Sequence, residues 1–206
     1  MIKVKEQPEL SLFDEKVRKP GEAFLKEVPK PIDKQWASHR YWSRISLAFY
    51  KCYGGICAYT GLWFSLSNTD ASIDHFLPKN HYPSLAYEWN NYRLTTIKTN
   101  RNKGTETIID PFEIEDGWFV LEIPTCLIKP SLTLPKSKRQ LIEHTIKVLK
   151  LNSDDNMVQE RLSIIEYYIQ GNIDFDFLER RYPFIAKELI RQNLKNSVGE
   201  HFKTLA

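Results

Sequence analysis

Cysteine is scarce in this 206-residue chain, and the little there is does not pair up. The three cysteines, Cys52, Cys57 and Cys126, form no even, closely spaced framework. That excludes a disulfide scaffold and leaves free thiols in a reducing compartment as the expectation. Long apolar runs are missing too. Nothing approaches the ~20 residues that a spanning helix needs. The opening MIKVKEQPEL has no apolar stretch of the kind a secretory leader carries, so a cytoplasmic location is expected. No internal repeat or low-complexity tract is visible. What is present is a chain 42% hydrophobic and 13% aromatic, which can bury a sizeable core and is not disordered throughout.

Net charge is only +3, but it is unevenly spread. Residues 36–104 carry eight basic groups (Arg40, Arg44, Lys51, Lys79, Arg93, Lys98, Arg101, Lys103) against the acidic Asp70, Asp74 and Glu88. The next 31 residues reverse the sign, with Lys129 alone against six acids. A basic block suits a polyanionic partner, although a solvated charged face explains the charge alone equally well.

Residues 1–35 read as an extended arm. Pro8, Pro20, Pro29 and Pro31 punctuate it, and its apolar anchors, such as Phe13 and Phe24, are too sparse to form a core. Such an arm is expected to wrap a partner or the chain's own core, with one short helix at most; docking on a partner is the favoured reading. Residues 36–53 carry Trp36, Tyr41, Trp42, Ile45, Phe49 and Tyr53 at helical spacing, and Gly54-Gly55 end the pattern. Burial of a helix face accounts for the aromatics. Phosphate contact by Arg40 or Arg44 is the less favoured reading. From residue 136 to the end the pattern is helical. The predicted fold class is therefore α+β, mostly helical. Its divisions are an arm over 1–35, a core over 36–135 and a C-terminal helical region over 136–206.

The informative stretch is IDHFLPKNHYPSLAYEWNNYRLTTIKTNRNKG, residues 73–104. ASIDHF reads as a short strand and NNYRLTT as a second, with a proline-marked loop between them. IKTNRNKG then reads as a short helix with a glycine stop. An Asp-His pair alone means little. Here His75 ends a strand, Asn91 opens the next, and Asn100 lies on the helix that follows.

With CAYTG at residues 57–61 just upstream, these residues resemble the HNH, or ββα-metal, nucleases. They look like the HNH nucleases of the PtuB-like family, encoded with Septu and retron anti-phage systems. The resemblance spans Cys57 to Phe112. It implies an endonuclease that hydrolyses phosphodiester bonds of DNA, or of an RNA such as tRNA. His75 is then the general base, and Asn91 holds the loop and orients the His75 ring. Asp74 and Asn100 are implied as ligands of Mg²⁺ or Mn²⁺, hard ions that take oxygen donors. Lys79, Arg93, Arg101 and Lys103 are expected to contact the nucleic-acid backbone. An unperturbed imidazole titrates near ~6.5, which suits a proton acceptor at neutral pH.

One departure matters. Many relatives hold a structural zinc on two Cys-x-x-Cys knuckles. Here the first reads Cys57-Ala-Tyr-Thr60 and the second Thr96-Ile-Lys-Thr99. A four-cysteine zinc site is therefore not expected. The partners implied are a PtuA-like ATPase and, in retron systems, a reverse transcriptase with its msDNA. The alternative is a catalytically inactive subunit that binds nucleic acid or docks on the ATPase. Such a module has no need of the Asp74/His75/Asn91/Asn100 set.

Overall fold

The computed structural model describes residues 1–123 and 125–203. It is a mixed α+β, mostly helical fold with two small antiparallel hairpins. The chain divides into two compact units, each built from separated segments. One comprises Lys5–Gly55 and Phe64–Thr107; the other comprises Met1–Val4, Ile56–Trp63 and the chain from Ile108 onward. These cuts differ from the divisions expected at residues 35 and 135. The last three residues of the expected helical region, 204–206, lie outside the described residues.

In the first unit a π-helical turn, Asp14–Arg18, leads into α1 (Lys19–Glu27). Pro20, the second residue of α1, falls where the π-helical turn passes into the α-helix. The segment read as an extended arm is thus folded. Phe13 and Val17 are fully buried and Phe24 nearly so. Phe13 meets the ring edges of Trp89 and Tyr92 at 5.3 and 5.9 Å, and Phe49 reaches Trp89 at 5.0 Å. Anchors sparse in sequence become a core because aromatics from three distant segments supply the rest. Each such ring contributes about 2–3 kcal/mol by leaving water.

The helix expected over 36–53 is broken. It becomes α2 (Asp33–Ser38), a 3-10 turn at Tyr41–Ile45, and α3 (Ser46–Cys52). The break falls at His39 and Arg40, whose backbones leave the helical region. The His39 ring stacks on Phe24 with centroids 3.7 Å apart. Gly21 of α1 lies against the ring of Tyr87, where an added Cβ would stand 2.1 Å from a ring carbon. Strands β1 (Ala71–His75) and β2 (Tyr92–Thr96) pair antiparallel, and α4 (Ile97–Lys103) follows directly.

In the second unit β3 (Phe119–Glu122) pairs with β4 (Leu127–Pro130). Five helices follow: α5 (Lys136–Val148), α6 (Asp155–Ile169), α7 (Phe175–Arg181), α8 (Pro183–Arg191) and α9 (Val198–Lys203). Asp154 and Asp174 cap α6 and α7, and Pro183 separates α7 from α8. Leu178, Phe184 and Ile185 are buried, so these C-terminal apolar residues are the chain's own core. The buried Arg161 donates to the carbonyls of Cys126 and Leu151, both at 2.8 Å, joining the hairpin to the helices. Glu188 Oε2 accepts from Leu121 N–H at 2.8 Å and ties α8 to β3.

Candidate active site

Strand alternation and helical spacing together bring the motif residues to one place. Ser72 and Asp74 lie two apart on β1 and share a face. Asn100 and Lys103 lie three apart on α4 and share a helix face. The two faces meet in two rungs. Asn100 Nδ2 donates to Ser72 Oγ at 2.8 Å. Lys103 Nζ lies 3.1 Å from Asp74 Oδ2 and donates to the His75 carbonyl at 3.2 Å. Thr96 starts the helix, its side-chain oxygen accepting from Thr99 N–H at 3.2 Å, and Gly104 ends it with φ +54°. Thr96 and Thr99 are the two ends of the Thr-Ile-Lys-Thr stretch. Here their hydroxyls are 3.0 Å apart and serve the helix cap.

His75 ends β1, opposite Tyr92. Its Nε2 is 2.8 Å from the Ala86 carbonyl oxygen. A carbonyl only accepts, so Nε2 carries the hydrogen and Nδ1 carries the lone pair. The Tyr92 hydroxyl donates to the same carbonyl at 2.8 Å. The imidazole meets Trp42 and Tyr92 edge-on, at 4.5 and 5.3 Å. Burial, ahead of the nearby Lys79 and Lys103 charges, pushes its pKa down to about 3. The ring is therefore neutral, and well below the value near 6.5 expected of a free histidine.

Asn91 does not touch the His75 ring. Its Oδ1 accepts from Leu77 N–H at 2.8 Å, and its Nδ2 donates to the carbonyls of Leu77 and Leu85, both at 3.0 Å. These bonds clasp the two ends of the loop that follows β1. Leu85 precedes Ala86, whose carbonyl fixes the imidazole. Asn91 thus acts on His75 through the backbone.

Asp74, His75, Asn100 and Lys79 line one cavity of about 720 Å³ in this unit. Trp36, Arg40, Trp42, Ser43, Ser46 and Ser72 line it as well. Of the other residues expected to reach nucleic acid, Arg101 is exposed on α4. Arg93 and Lys103 are not at the surface. Arg93 is 3% exposed and donates to the carbonyls of Asn90 and Tyr92 at 2.7 and 2.9 Å, while Lys103 is 0% exposed. Both cations are held by internal acceptors, so the backbone contacts expected of them do not fit these positions. The sequence reading also passed over Trp42 and Ser72. Trp42 read simply as helix core, and only the i, i+2 relation of Ser72 to Asp74 signalled its place.

Two oxygen donors at this cavity could help hold a hard divalent cation, although no cluster of three or more His, Cys, Asp or Glu able to hold a metal occurs among the described residues. Asp74 offers a carboxylate, and the Asn100 amide nitrogen is turned onto Ser72, which leaves its oxygen as the other arm. A small oxygen-seeking ion takes one or two such protein ligands and fills its shell with water and phosphate. Asp74 is shared with Lys103, so a cation here would bind a carboxylate that already has a counter-charge.

No protein-family model matches the chain. It is similar to Septu protein PtuB of Bacillus thuringiensis, 30% identical over 125 residues. The match covers 58% of this chain and 46% of that protein, so the chain spans about half the length of the curated relative it matches.

Proposed function

We propose that this protein is a metal-dependent endonuclease of the HNH type, hydrolysing phosphodiester bonds of nucleic acid as the effector of a Septu-type anti-phage defence system. The observation that carries this reading is the convergence of Asp74, His75 and Asn100 on one cavity, with His75 Nδ1 left as its lone-pair nitrogen. The similarity to a Septu protein supports the biological setting.

In this reading His75 Nδ1 takes a proton from water as the water oxygen attacks phosphorus. The bond to the leaving 3′ oxygen breaks, and that oxygen takes a proton from solvent. Ala86 and Tyr92 hold the imidazole in the tautomer needed, and Asn91 holds the loop that carries Ala86. Asp74 and Asn100 would hold Mg²⁺ or Mn²⁺, which would supply positive charge for the phosphate oxygens and make nearby water more acidic. That help matters because a buried, neutral imidazole is ready to accept a proton but is a weak base. Lys79 contacts the substrate backbone from the cavity wall. Arg101 does so from the exposed face of α4. A PtuA-like ATPase restrains the nuclease, joined in retron systems by the reverse transcriptase and its msDNA.

The test is incubation of the purified protein, with and without its ATPase, against phage DNA, plasmid and total RNA in Mg²⁺ or EDTA. Cleavage that needs both metal and His75 is expected. Equal cleavage by His75→Ala would remove the general-base assignment. A non-catalytic binding subunit is favoured by one observation, the existing pairing of Asp74 with Lys103. It predicts nucleic-acid binding without cleavage under every condition.

A further inference from the structure

We infer that Arg40 and Lys79 form a seat for one backbone phosphate of the substrate, in the cavity that Asp74 and His75 also line; this rests on the nuclease reading above. The two cations come from segments far apart in sequence. Arg40 stands just before the 3-10 turn, its carbonyl accepting from Ser43 N–H at 2.9 Å and Ser43 Oγ at 2.7 Å. That fixes its backbone at the cavity wall. Lys79 comes from the loop after β1. Its ammonium lies 5.9 Å from the Trp36 ring centre and 6.0 Å from that of Trp42, over both indole faces. Cation–π contacts of this kind hold a charge in place without neutralising it.

Neither cation forms an ion pair among the described residues. Burial lowers the Lys79 pKa first. The charge of Arg40 lowers it further, while Asp33 and Asp74 raise it. Asp33 shares the cavity, but its Oδ1 already accepts from Asn80 Nδ2 at 3.1 Å. Arg40 and Lys79 line the same cavity, and two cations without ion-pair partners there favour an anion. The Trp36 indole N–H, in the same cavity wall, is also buried with no acceptor among the described residues. Asp33, Asp70 and Asp74 line the same cavity, and Asp33 and Asp74 act on Lys79, so a phosphate here has to be held by Arg40 and Lys79 together.

Arg44 supplies a built-in control. It belongs to the same 3-10 turn, but its guanidinium stacks over Tyr41 at 4.4 Å and donates to the Lys16 carbonyl at 3.1 Å. It does not line the cavity.

The probe is a short fluorescein-labelled oligonucleotide, in DNA and RNA forms, titrated in EDTA over a range of salt. Arg40→Gln and Lys79→Gln should each reduce the slope of log K against log salt by about 0.7 to 0.9, the release expected for one lost phosphate contact. Arg44→Gln should leave the slope unchanged. In cleavage assays the first two variants should raise KM with kcat nearly kept, and Arg40→Lys should recover part of the loss. Circular dichroism checks that each variant is folded. Wild-type slopes for Arg40→Gln and Lys79→Gln, alongside cleavage that still needs His75, would overturn the seat and leave the nuclease reading standing. A wild-type protein that neither binds the probe nor cleaves would overturn both.

Discussion

Lys103 and Asp74 form a buried ion pair: the ammonium is 3.1 Å from Oδ2, with the lysine side chain 0% and the aspartate side chain 5% exposed. A single buried charge is far costlier than a buried pair. Lys103→Met should therefore destabilise the protein by roughly 3–5 kcal/mol in denaturant melts. Adding Asp74→Asn to Lys103→Met should recover part of that, because the stranded carboxylate is gone. Equal losses in the single and double variants would show that the pair is not the source.

The two asparagines should fail differently. Asn91 makes its contacts to backbone, and Asn91→Ala removes three hydrogen bonds and loosens the loop that carries Ala86. Activity should fall and added metal should not restore it. Asn100→Ala loses one bond to Ser72 and one oxygen donor to the cavity. Excess Mg²⁺ or Mn²⁺ should partly restore its rate. Superimposable metal titrations for the two variants would exchange or abolish these roles.

Acid should weaken the fold through His75. Its folded pKa is about 3, below the ordinary value of about 6.5 in an unfolded chain. Between those values the unfolded state binds the extra proton, so stability rises with pH and is lost as pH falls from about 6.5 toward 3. In EDTA the wild-type protein should lose up to about 1.4 kcal/mol per pH unit more than His75→Phe over that window. Parallel stability–pH curves for the two proteins would refute the linkage.

Phe13, an anchor of the segment that could wrap a partner or the chain's own core, belongs to the core. Phe13→Ala should cost about 3–5 kcal/mol, as a large ring lost from a closed core does. Removing residues 5–30 should unfold the unit that holds the site. A truncated protein with an unchanged thermal transition would restore the arm.

The ββα segment was legible because its signals are local: two short strand-like runs about a proline-marked loop, and a glycine stop for the helix. The break after α2 was not. Apolar spacing runs straight across His39 and Arg40, and neither proline nor glycine marks the place. Strand β4 was hidden by its shortness and by a turn residue, Cys126, that takes φ +57° where glycine or asparagine would have been the readable sign. The interior places of Lys103 and Arg93 were illegible for a different reason. Lysine and arginine are read as surface residues, and only a partner distant in sequence shows otherwise. The cavity wall supplied by Trp36, Arg40 and Trp42 is a tertiary fact with no local signature.

Gly21 has no side chain to contribute, yet the site leans on it. The space it leaves is filled by the Tyr87 ring, whose hydroxyl donates to the His39 carbonyl at 2.8 Å. Tyr87 lies 5.9 Å from Trp42, and Trp42 lies 4.5 Å from His75. A random-mutagenesis screen for cells that survive expression of this protein should therefore return Gly21 substitutions beside those at His75. Nothing about a glycine in a surface-looking, charged segment would have nominated it, and its hits would map a mechanical dependency rather than a chemical one.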